Sequence, residues 1–525
     1  MKFIIKPSAQ MREIAEQWDF RRLLNQVCCP TNVQAGTTAS EFGAMFFFAG
    51  EAESLSEQVS SFHSTCAIPP FIVSDLENGP GEMIHGSQRF PQMMGFGQTD
   101  SEELVYTIGQ STALVAGASG FNWNFSPVVD LAGHPDSPVV SGRSAGQRPE
   151  QVIKIAGAYM RGLQDNGMMA TIKHFPGDGF DTYDQHLTTP VNPLSKEEWR
   201  KGPGRVFKEL IEAGAMAMMP GHIALPAFDQ PDERGLYPPA TVSKPLLQQL
   251  LREELDFQGL IVSDAVNMGG LVGYMNYYDA LAAALESGCD MLLFPHIDER
   301  FYVEMERRYS EGKLSRETLL DRASRVLSLK EQMGLMDGSL PTITPPDREE
   351  LARLAERAVA ESLTLVRDRE GLVPFPLRPG MRVLHAVIMN KADQYGDLYD
   401  RIRTELERYC DHVDQWVDPG PDKLFHTAIS GTYDLILCSI GSRQDYGLNV
   451  ARLHGEVARN MMGGWMRVGT PVIFVSHFHP FVHQEYEASI DTLINTYGDI
   501  DITARLLIDA IAGQAPIRRQ LAAHD

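Results

Sequence analysis

The chain has 525 residues, 43% hydrophobic and 22% charged, with 46 Lys and Arg against 69 Asp and Glu and a net charge of −23. That length exceeds one ordinary hydrophobic core and points to two domains, while the acidic balance argues against nucleic acid as a partner, since phosphate backbones are held by clustered Lys and Arg. Six Cys, with only Cys28 and Cys29 adjacent, give neither a metal spacing nor a disulfide framework.

The opening MKFIIKPSAQMREIAEQW lacks the apolar core of a signal peptide. No run approaches the roughly 18 apolar residues of a membrane span. A soluble, cytoplasmic protein without a membrane partner is therefore expected. Short apolar runs then recur: AMFFFAG (44–50), PFIVSD (70–75), FNWNFSPVVD (121–130), MMATIKH (168–174), AMAMMPGH (215–222), GLIVSD (259–264) and CDMLLF (289–294). Helical patterns such as PEQVIKIAGAYMRGLQDNG and SKPLLQQLLREELDFQ separate them. Alternation of this kind predicts a parallel sheet covered by helices. Seven or eight units in about 340 residues fit a (β/α)8 barrel. Polar residues end at least four of the runs: Asp75, Lys173 with His174, His222, and Asp264. A barrel gathers such ends at one mouth, where an open sheet would gather fewer.

Gly and Pro punctuate GLMDGSLPTITPPDREE near 334–350, and a new helix is predicted to start at Asp347. Beyond it MRVLHAVIM, YDLILCSIG, PVIFVSH and DTLINTYG read as buried parallel strands alternating with helices. The expected organisation is a catalytic barrel over 1–345 and a smaller α/β sandwich, helices on both faces of one sheet, over 346–525.

The chemistry concentrates in KHFPGDGFDTYDQH, residues 173–186. Pro176, Gly177 and Gly179 forbid a continuous helix and supply turns, so a polar loop runs out from a strand end, a usual place for catalytic groups. In its Asp184-x-His186 pair, a carboxylate bonded to an imidazole would fix the tautomer and favour a proton held for a leaving group. A solvated surface loop is the competing reading. Asp264 follows apolar strand residues, where an unused carboxylate would be costly; alternatively Ser263 or Asp264 caps the next helix. Lys173 and His174 are placed to bind hydroxyls or the site carboxylates. Arg143, in SGRSAGQRPE, either forks onto polar oxygens or belongs to an ordinary surface loop, and Asp75 either pairs with two hydroxyls or caps.

Jointly these stretches resemble glycoside hydrolase family 3, in its β-N-acetylglucosaminidase branch. RGLQDNGMMATIKHFPGDGFDTYDQHLTTP carries R-G-L, K-H-F-P-G and D-x-H in the order seen in that branch, and LDFQGLIVSDAVNMGGL is similar to the family's nucleophile segment. NFSPVVD, SPVVSGRS and ALESGCDMLLFP resemble further barrel segments, and SLTLVRDREGLVPF the family's second domain. The resemblance implies a retaining β-glycosidase working without cofactor or metal on a small carbohydrate, removing terminal β-N-acetylhexosamine. It implies Asp264 as nucleophile, His186 as acid and then base, Asp184 as its partner, and Asp75, Arg143, Lys173 and His174 as sugar binders. A His acid departs from the second carboxylate of most retaining enzymes.

Two positions leave the branch's pattern. Asp178 stands where the loop usually carries a His, and LENGPGEMIHG follows Asp75 in place of Q-E-G-G-R, without its Arg. A β-N-acetylglucosaminide phosphorylase is an alternative on the same scaffold, since an imidazole repels phosphate less than a carboxylate does. Others are a β-glucosidase or β-xylosidase, and a catalytically silent carbohydrate-binding protein. The Gly and Pro of the loop also lead us to expect 176–186 among the more mobile parts of the mouth. Oligomeric state is left open.

Overall fold

The computed structural model describes residues 1–31, 42–336, 343–391, 395–443 and 446–520. The chain forms two compact units, one of Met1–Arg89, Ser101–His134 and Gly146–Leu351, the other of Phe90–Asp100, Pro135–Ala145 and Ala352–Asp525.

The first unit is built on eight parallel strands: β1 (Cys28–Cys29), β2 (Ala44–Phe46), β3 (Phe71–Ser74), β4 (Trp123–Asn124), β5 (Met169–Phe175), β6 (Ala217–Pro220), β7 (Leu260–Ala265) and β8 (Met291–Leu293). Each lies beside its neighbours in sequence, and β8 pairs with β1. The ring is closed between β1 and β2 by a bridge from Thr31 to Phe46 and by the Phe46 N–H bond to Pro30 carbonyl, 2.9 Å. All seven apolar runs of the sequence contain a strand. The eighth, β1, was hidden in a cysteine pair that hydropathy alone does not mark as a strand.

Strand alternation fills the barrel and orients its mouth. Phe71 and Val73, Trp123, Met169, Ala217 and Met219, Leu260 and Val262, and Met291 and Leu293 share one buried cluster. Inward side chains recur every second residue. Counting on from Val73, from Met169 and from Val262 brings Asp75, Lys173 and Asp264 to the inward side at the strand ends. Trp123 Nε1 donates to Thr171 Oγ1 at 2.7 Å, one layer below Lys173. Outside, helix Pro149–Gln164 has Pro at its first turn and buries Val152, Ile155, Ala156, Tyr159, Met160 and Leu163, the spacing of one helical face.

The second unit holds β9 (Thr364–Asp368), β10 (Arg382–Met389), β11 (His412–Val417), β12 (Leu435–Gly441), β13 (Val472–Ser476), β14 (Thr492–Asn495) and β15 (Arg518–Arg519). Their order across the sheet is β11-β10-β12-β13-β14-β9-β15. Val383, Val387, Leu435, Leu437 and Ile473 pack with Ile402, Leu406, Leu507 and Ile511. The alternate residues Leu384, Ala386, Ile388, Ile436 and Cys438 pack with Leu424, Ala428 and Trp465. Both faces are therefore covered, as in a three-layer sandwich. The four apolar runs of the sequence are β10, β12, β13 and β14. Three further strands went unread, and β9 runs antiparallel to β14, so the sheet is mixed and not wholly parallel. Helix Arg348–Ser362 begins as expected at Asp347, whose Oδ1 accepts the Glu350 N–H at 2.8 Å.

A buried charge sits just before β8. Asp290, without solvent exposure, lies 2.7 Å from Arg252, 3.1 Å from Arg325 and 3.6 Å from Arg322, and also accepts the Ile261 N–H at 2.8 Å. This end of a barrel strand is where stability, not chemistry, is usually secured. Burial pushes the Asp290 carboxyl up, but the three guanidiniums outweigh it and hold it below its usual 3.8. Asp290→Asn should lower unfolding stability by about 3–5 kcal/mol, because the arginines are left uncompensated. The native contribution is full above the ordinary Asp value and is lost as pH falls through the depressed one. Denaturant melts at neutral and acid pH should therefore converge for variant and native protein as the pH drops.

Candidate active site

The mouth of the first unit is organised by three buried charge pairings. The first joins β3 to β5. Lys173 Nζ lies 2.8 Å from Asp75 Oδ1 and 2.9 Å from Glu77 Oε1, with the lysine side chain 4% exposed and that of Asp75 29%. Asp75 is thus the accessible member, and no helix follows it for it to cap.

The second joins β4 to β5. The Lys173–His174 peptide bond is cis and the register against β6 shifts between Lys173 and Phe175. Buried Asp130 accepts the His174 N–H at 3.1 Å and the Asp178 N–H at 2.8 Å, and pairs with His174 Nδ1 at 2.7 Å. A carboxylate that only accepts makes that ring nitrogen the donor, so the tautomer of His174 is set by its neighbour. Asp178 in turn accepts the Gly179 N–H through Oδ1 at 2.7 Å.

The third lies on the loop after β5. His186 Nδ1 is 2.7 Å from Asp184 Oδ1, which also accepts the His186 N–H at 2.8 Å. Asp184 is buried and the His186 side chain is 24% exposed, leaving Nε2 as the ring atom outside that pairing. The loop is tied at many points. Trp199 Nε1 donates to Pro176 carbonyl at 2.7 Å and Asn192 to Gly177 carbonyl at 2.9 Å. Gly269 and Gly270 N–H groups reach His186 and Gln185 carbonyls at 2.8 and 3.0 Å. A side chain at Gly270 would meet Gln185 carbonyl at 2.6 Å, so glycine is what allows the two loops to touch. These bonds, with the Val191 N–H on Asp181 Oδ2 at 2.8 Å, join the loop to its neighbours in this conformation.

Asp264 belongs to β7, and its Oδ1 accepts the Ala265 N–H at 2.7 Å. The next helix, Gly269–Val272, takes Met268 at its cap position without a side-chain bond, which removes the capping reading. Ser263 Oγ instead accepts the Leu293 N–H at 3.0 Å, joining β7 to β8. Burial pushes the Asp264 carboxyl up, yet the fields of His174, His222 and His186 and the Ala265 N–H hold it below its ordinary value. His222, without solvent exposure, is pushed down by burial against the pull of Asp264. Its Nε2 faces Ala265 carbonyl at 2.9 Å and its Nδ1 Thr241 Oγ1 at 2.8 Å.

The barrel thus brings together Asp75, Lys173, His174, Asp184, His186 and Asp264. Arg143 lies in Pro135–Ala145 of the second unit, where its guanidinium donates to Val139 carbonyl at 3.1 Å and stands 5.6 Å over the Tyr446 ring. Sequence reasoning passed over Asp130, Glu77 and Gln185, whose Oε1 accepts the His222 N–H at 2.9 Å. Asp130 could have been found, because PVVD ends an apolar run with Asp as IVSD does. Among the described residues, no group of three or more His, Cys, Asp or Glu is arranged to hold a metal ion, and no helix is long and apolar enough to cross a membrane.

Other proteins are similar to this one in sequence and in shape. β-N-Acetylglucosaminidase/β-glucosidase of Cellulomonas fimi is 30% identical over 483 residues, 87% of this chain and 84% of its own. β-Hexosaminidase A of Pseudoalteromonas piscicida is 28% identical over 439 residues, 77% of this chain and 71% of its own. The solved structure of the β-glucoside phosphorylase BglX bound to 2FGlc superposes with a TM-score of 0.90 at 25% identity, covering 99% of this chain and 97% of that one. Residues 34–329, which span β2 to β8, match the glycosyl hydrolase family 3 N terminal domain. With more than half its length matched and a relative aligned along most of both chains, the protein belongs to glycosyl hydrolase family 3.

Proposed function

We propose that the protein is a retaining exo-β-glycosidase that removes a terminal β-N-acetylhexosamine, with Asp264 as nucleophile and His186 as acid and base. The observation that carries the reading is the pairing of a low-lying, buried carboxylate with an imidazole oriented by Asp184, both at one barrel mouth. Ionised Asp264 attacks the anomeric carbon while His186 Nε2 gives its proton to the departing glycosidic oxygen. The glycosyl ester is then opened by an acceptor whose proton returns to His186. Asp184 holds Nδ1–H throughout, so that Nε2 is the atom that exchanges protons. Asp75 and Lys173 bind sugar hydroxyls as acceptor and donor, and His174 binds through the nitrogen Asp130 leaves. The N-acetylhexosamine preference is supported by the Cellulomonas fimi and Pseudoalteromonas piscicida relatives, whose names carry that activity.

A second reading has its own support. BglX, similar in fold along nearly its whole length, is a β-glucoside phosphorylase. At the second step a deprotonated imidazole is neutral, whereas a carboxylate base would repel incoming phosphate. Aryl β-glycosides of GlcNAc, glucose and xylose, each turned over with and without inorganic phosphate, test both. Free sugar as product, at a rate indifferent to phosphate, supports the hydrolase. A glycosyl phosphate product replaces that reading with the phosphorylase.

Asp264→Ala should lower kcat by several orders of magnitude on every substrate, because no other group forms the covalent intermediate. Turnover near the native rate would sink the assignment.

His186→Ala should separate substrates by leaving group. Glycosides with basic leaving oxygens should lose about 10²- to 10⁴-fold, and activated aryl glycosides far less, as proton donation matters most for a basic departing oxygen. Asp184→Asn should follow the same pattern less severely. Equal losses on both substrate types would make His186 a binding residue.

A further inference from the structure

The barrel mouth carries an aromatic surface that the proposed chemistry does not use. The chain runs on past β2 in the register of β3: the Phe47 N–H reaches Val73 carbonyl at 2.9 Å, and Ser74 Oγ donates to Phe47 carbonyl at 2.7 Å. Phe46 pairs with Val73, so Phe48 stands opposite Asp75, both on the inward parity of their strands. Phe47 points the other way, and its ring meets Phe62 and Phe121. The rings of Phe46 and Phe48 lie 5.1 Å apart. Phe294, the residue after β8, lies 4.8 Å from the first and 5.8 Å from the second.

Two features set these rings apart from core packing. Phe48 is 48% exposed, although Phe46 beside it is buried. Phe294 takes φ 57°, a left-handed backbone that a bulky side chain rarely adopts. Its N–H is held by Cys29 carbonyl at 2.9 Å, so the turn is fixed with the ring against Phe48.

We propose that Phe48, backed by Phe294, is the platform on which the leaving group of the glycoside rests, and that it selects leaving groups with a flat apolar face, an aryl ring or the C–H face of a second pyranose. This placement rests on the glycosidase reading of the same mouth and names what that mouth takes beyond the departing oxygen.

Position is the physical reason. Lys173 and Asp264 are buried and form the floor that holds the sugar to be cleaved. The leaving group therefore extends outward, to the exposed rim where Phe48 stands. The apolar surface also leads to the acid. Phe294 packs against the cluster that contains Phe46, Ala265 and Met268, and the Gly269 N–H, one residue on, reaches His186 carbonyl at 2.8 Å. An apolar flank thus runs from the strand beside Asp75 to the loop that carries His186. When His186 Nε2 protonates the glycosidic oxygen, the departing substituent lies along this flank. The negative face of an aromatic ring attracts C–H groups and the edges of other rings, and the contact takes apolar surface of both partners out of water. A ring already held by its neighbours loses little freedom on binding.

The test is kcat/KM of the native protein, Phe48→Ala and Phe48→Tyr on three β-glycosides of whichever sugar is turned over: the phenyl glycoside, the trifluoroethyl glycoside and a disaccharide. Each variant is compared with the native protein on one substrate at a time, so differences in leaving-group basicity cancel. Phe48→Ala should lower kcat/KM about tenfold on the phenyl glycoside, as for loss of part of a phenylalanine's buried surface, and change it much less on the trifluoroethyl glycoside, which has no flat face. Inhibition by the free sugar should stay at the native level. Phe48→Tyr keeps the face and should restore near-native values, and Phe294→Ala should repeat the pattern of Phe48→Ala more weakly. Should Phe48→Ala not fold, Phe48→Leu, apolar without a flat face, gives the same contrast. A loss on the disaccharide equal to that on the phenyl glycoside assigns the platform to a second pyranose, and a loss confined to the phenyl glycoside assigns it to aryl groups. Equal losses on all three glycosides, weaker inhibition by the free sugar, or no loss at all overturn the proposal while leaving the glycosidase standing. Absence of any glycoside turnover by the native protein would instead remove the glycosidase reading, and the proposal with it.

Discussion

The constraint on which this structure turns is that a charge taken out of water must be matched where it is buried. Asp264 lies inside the barrel mouth with 8% of its surface exposed, and it stays ionised because three imidazoles and a backbone N–H face it. Lys173 is deeper still and is held by two carboxylates. Asp130 spends its oxygens on two backbone N–H groups and one ring. At the opposite strand ends Asp290 meets three arginines. The two ends differ in what the matching leaves over. Around Asp290 the partners are three arginines and the Ile261 N–H, none of them facing the mouth. At the mouth the partners include the imidazoles of His174, His222 and His186, and one carboxylate, Asp75, still reaches solvent.

Much of this was legible because strand periodicity and chemistry coincide. In IVSD the polar residue falls on the inward parity of a strand whose earlier inward residues, Leu260 and Val262, are apolar, and in TIKH Lys173 follows Met169 and the small, satisfied Thr171 on the same parity; a charged residue there has few structural excuses. The D-x-H pair was legible for another reason: two residues apart on a loop, a carboxylate and an imidazole can close on each other without help from the rest of the fold. The resemblance to the family then ordered these fragments.

What escaped did so for physical reasons as well. A two-residue strand such as Cys28–Cys29 is held by its neighbours β8 and β2, not by its own hydropathy. β11, with the exposure pattern of a sheet edge, offers no buried run, and β15 is two exposed arginines added beside β9. Glu77 and Asp130 meet partners 96 and 44 residues away along the chain, at Lys173 and His174, and no local pattern encodes that meeting. Likewise the place of Pro135–Ala145 in the second compact unit follows from tertiary contact, which SGRS as a sequence does not declare.

In the proposed mechanism, the choice of an imidazole over a second carboxylate as acid and base changes the charge of the mouth at the step that decides the product. Once the sugar is esterified to Asp264, the nucleophile carries no charge, and a His186 that has given up its proton carries none either. The charges that remain belong to buried pairs: Asp184 behind the imidazole, Asp130 behind His174, and the Asp75–Glu77 pair on Lys173. An acceptor arriving at His186 Nε2 therefore meets a weaker negative field than it would beside a catalytic carboxylate, whether it is water or phosphate. Nothing in the Asp184–His186 pairing itself distinguishes the two. Discrimination has to come from groups that contact the acceptor's remaining oxygens, and a phosphate needs cationic or N–H donors for several of them at once. Acceptor choice is thus separable from the bond-breaking machinery, and two proteins with the same nucleophile and the same His/Asp pair can differ in product through the lining of the acceptor's approach alone.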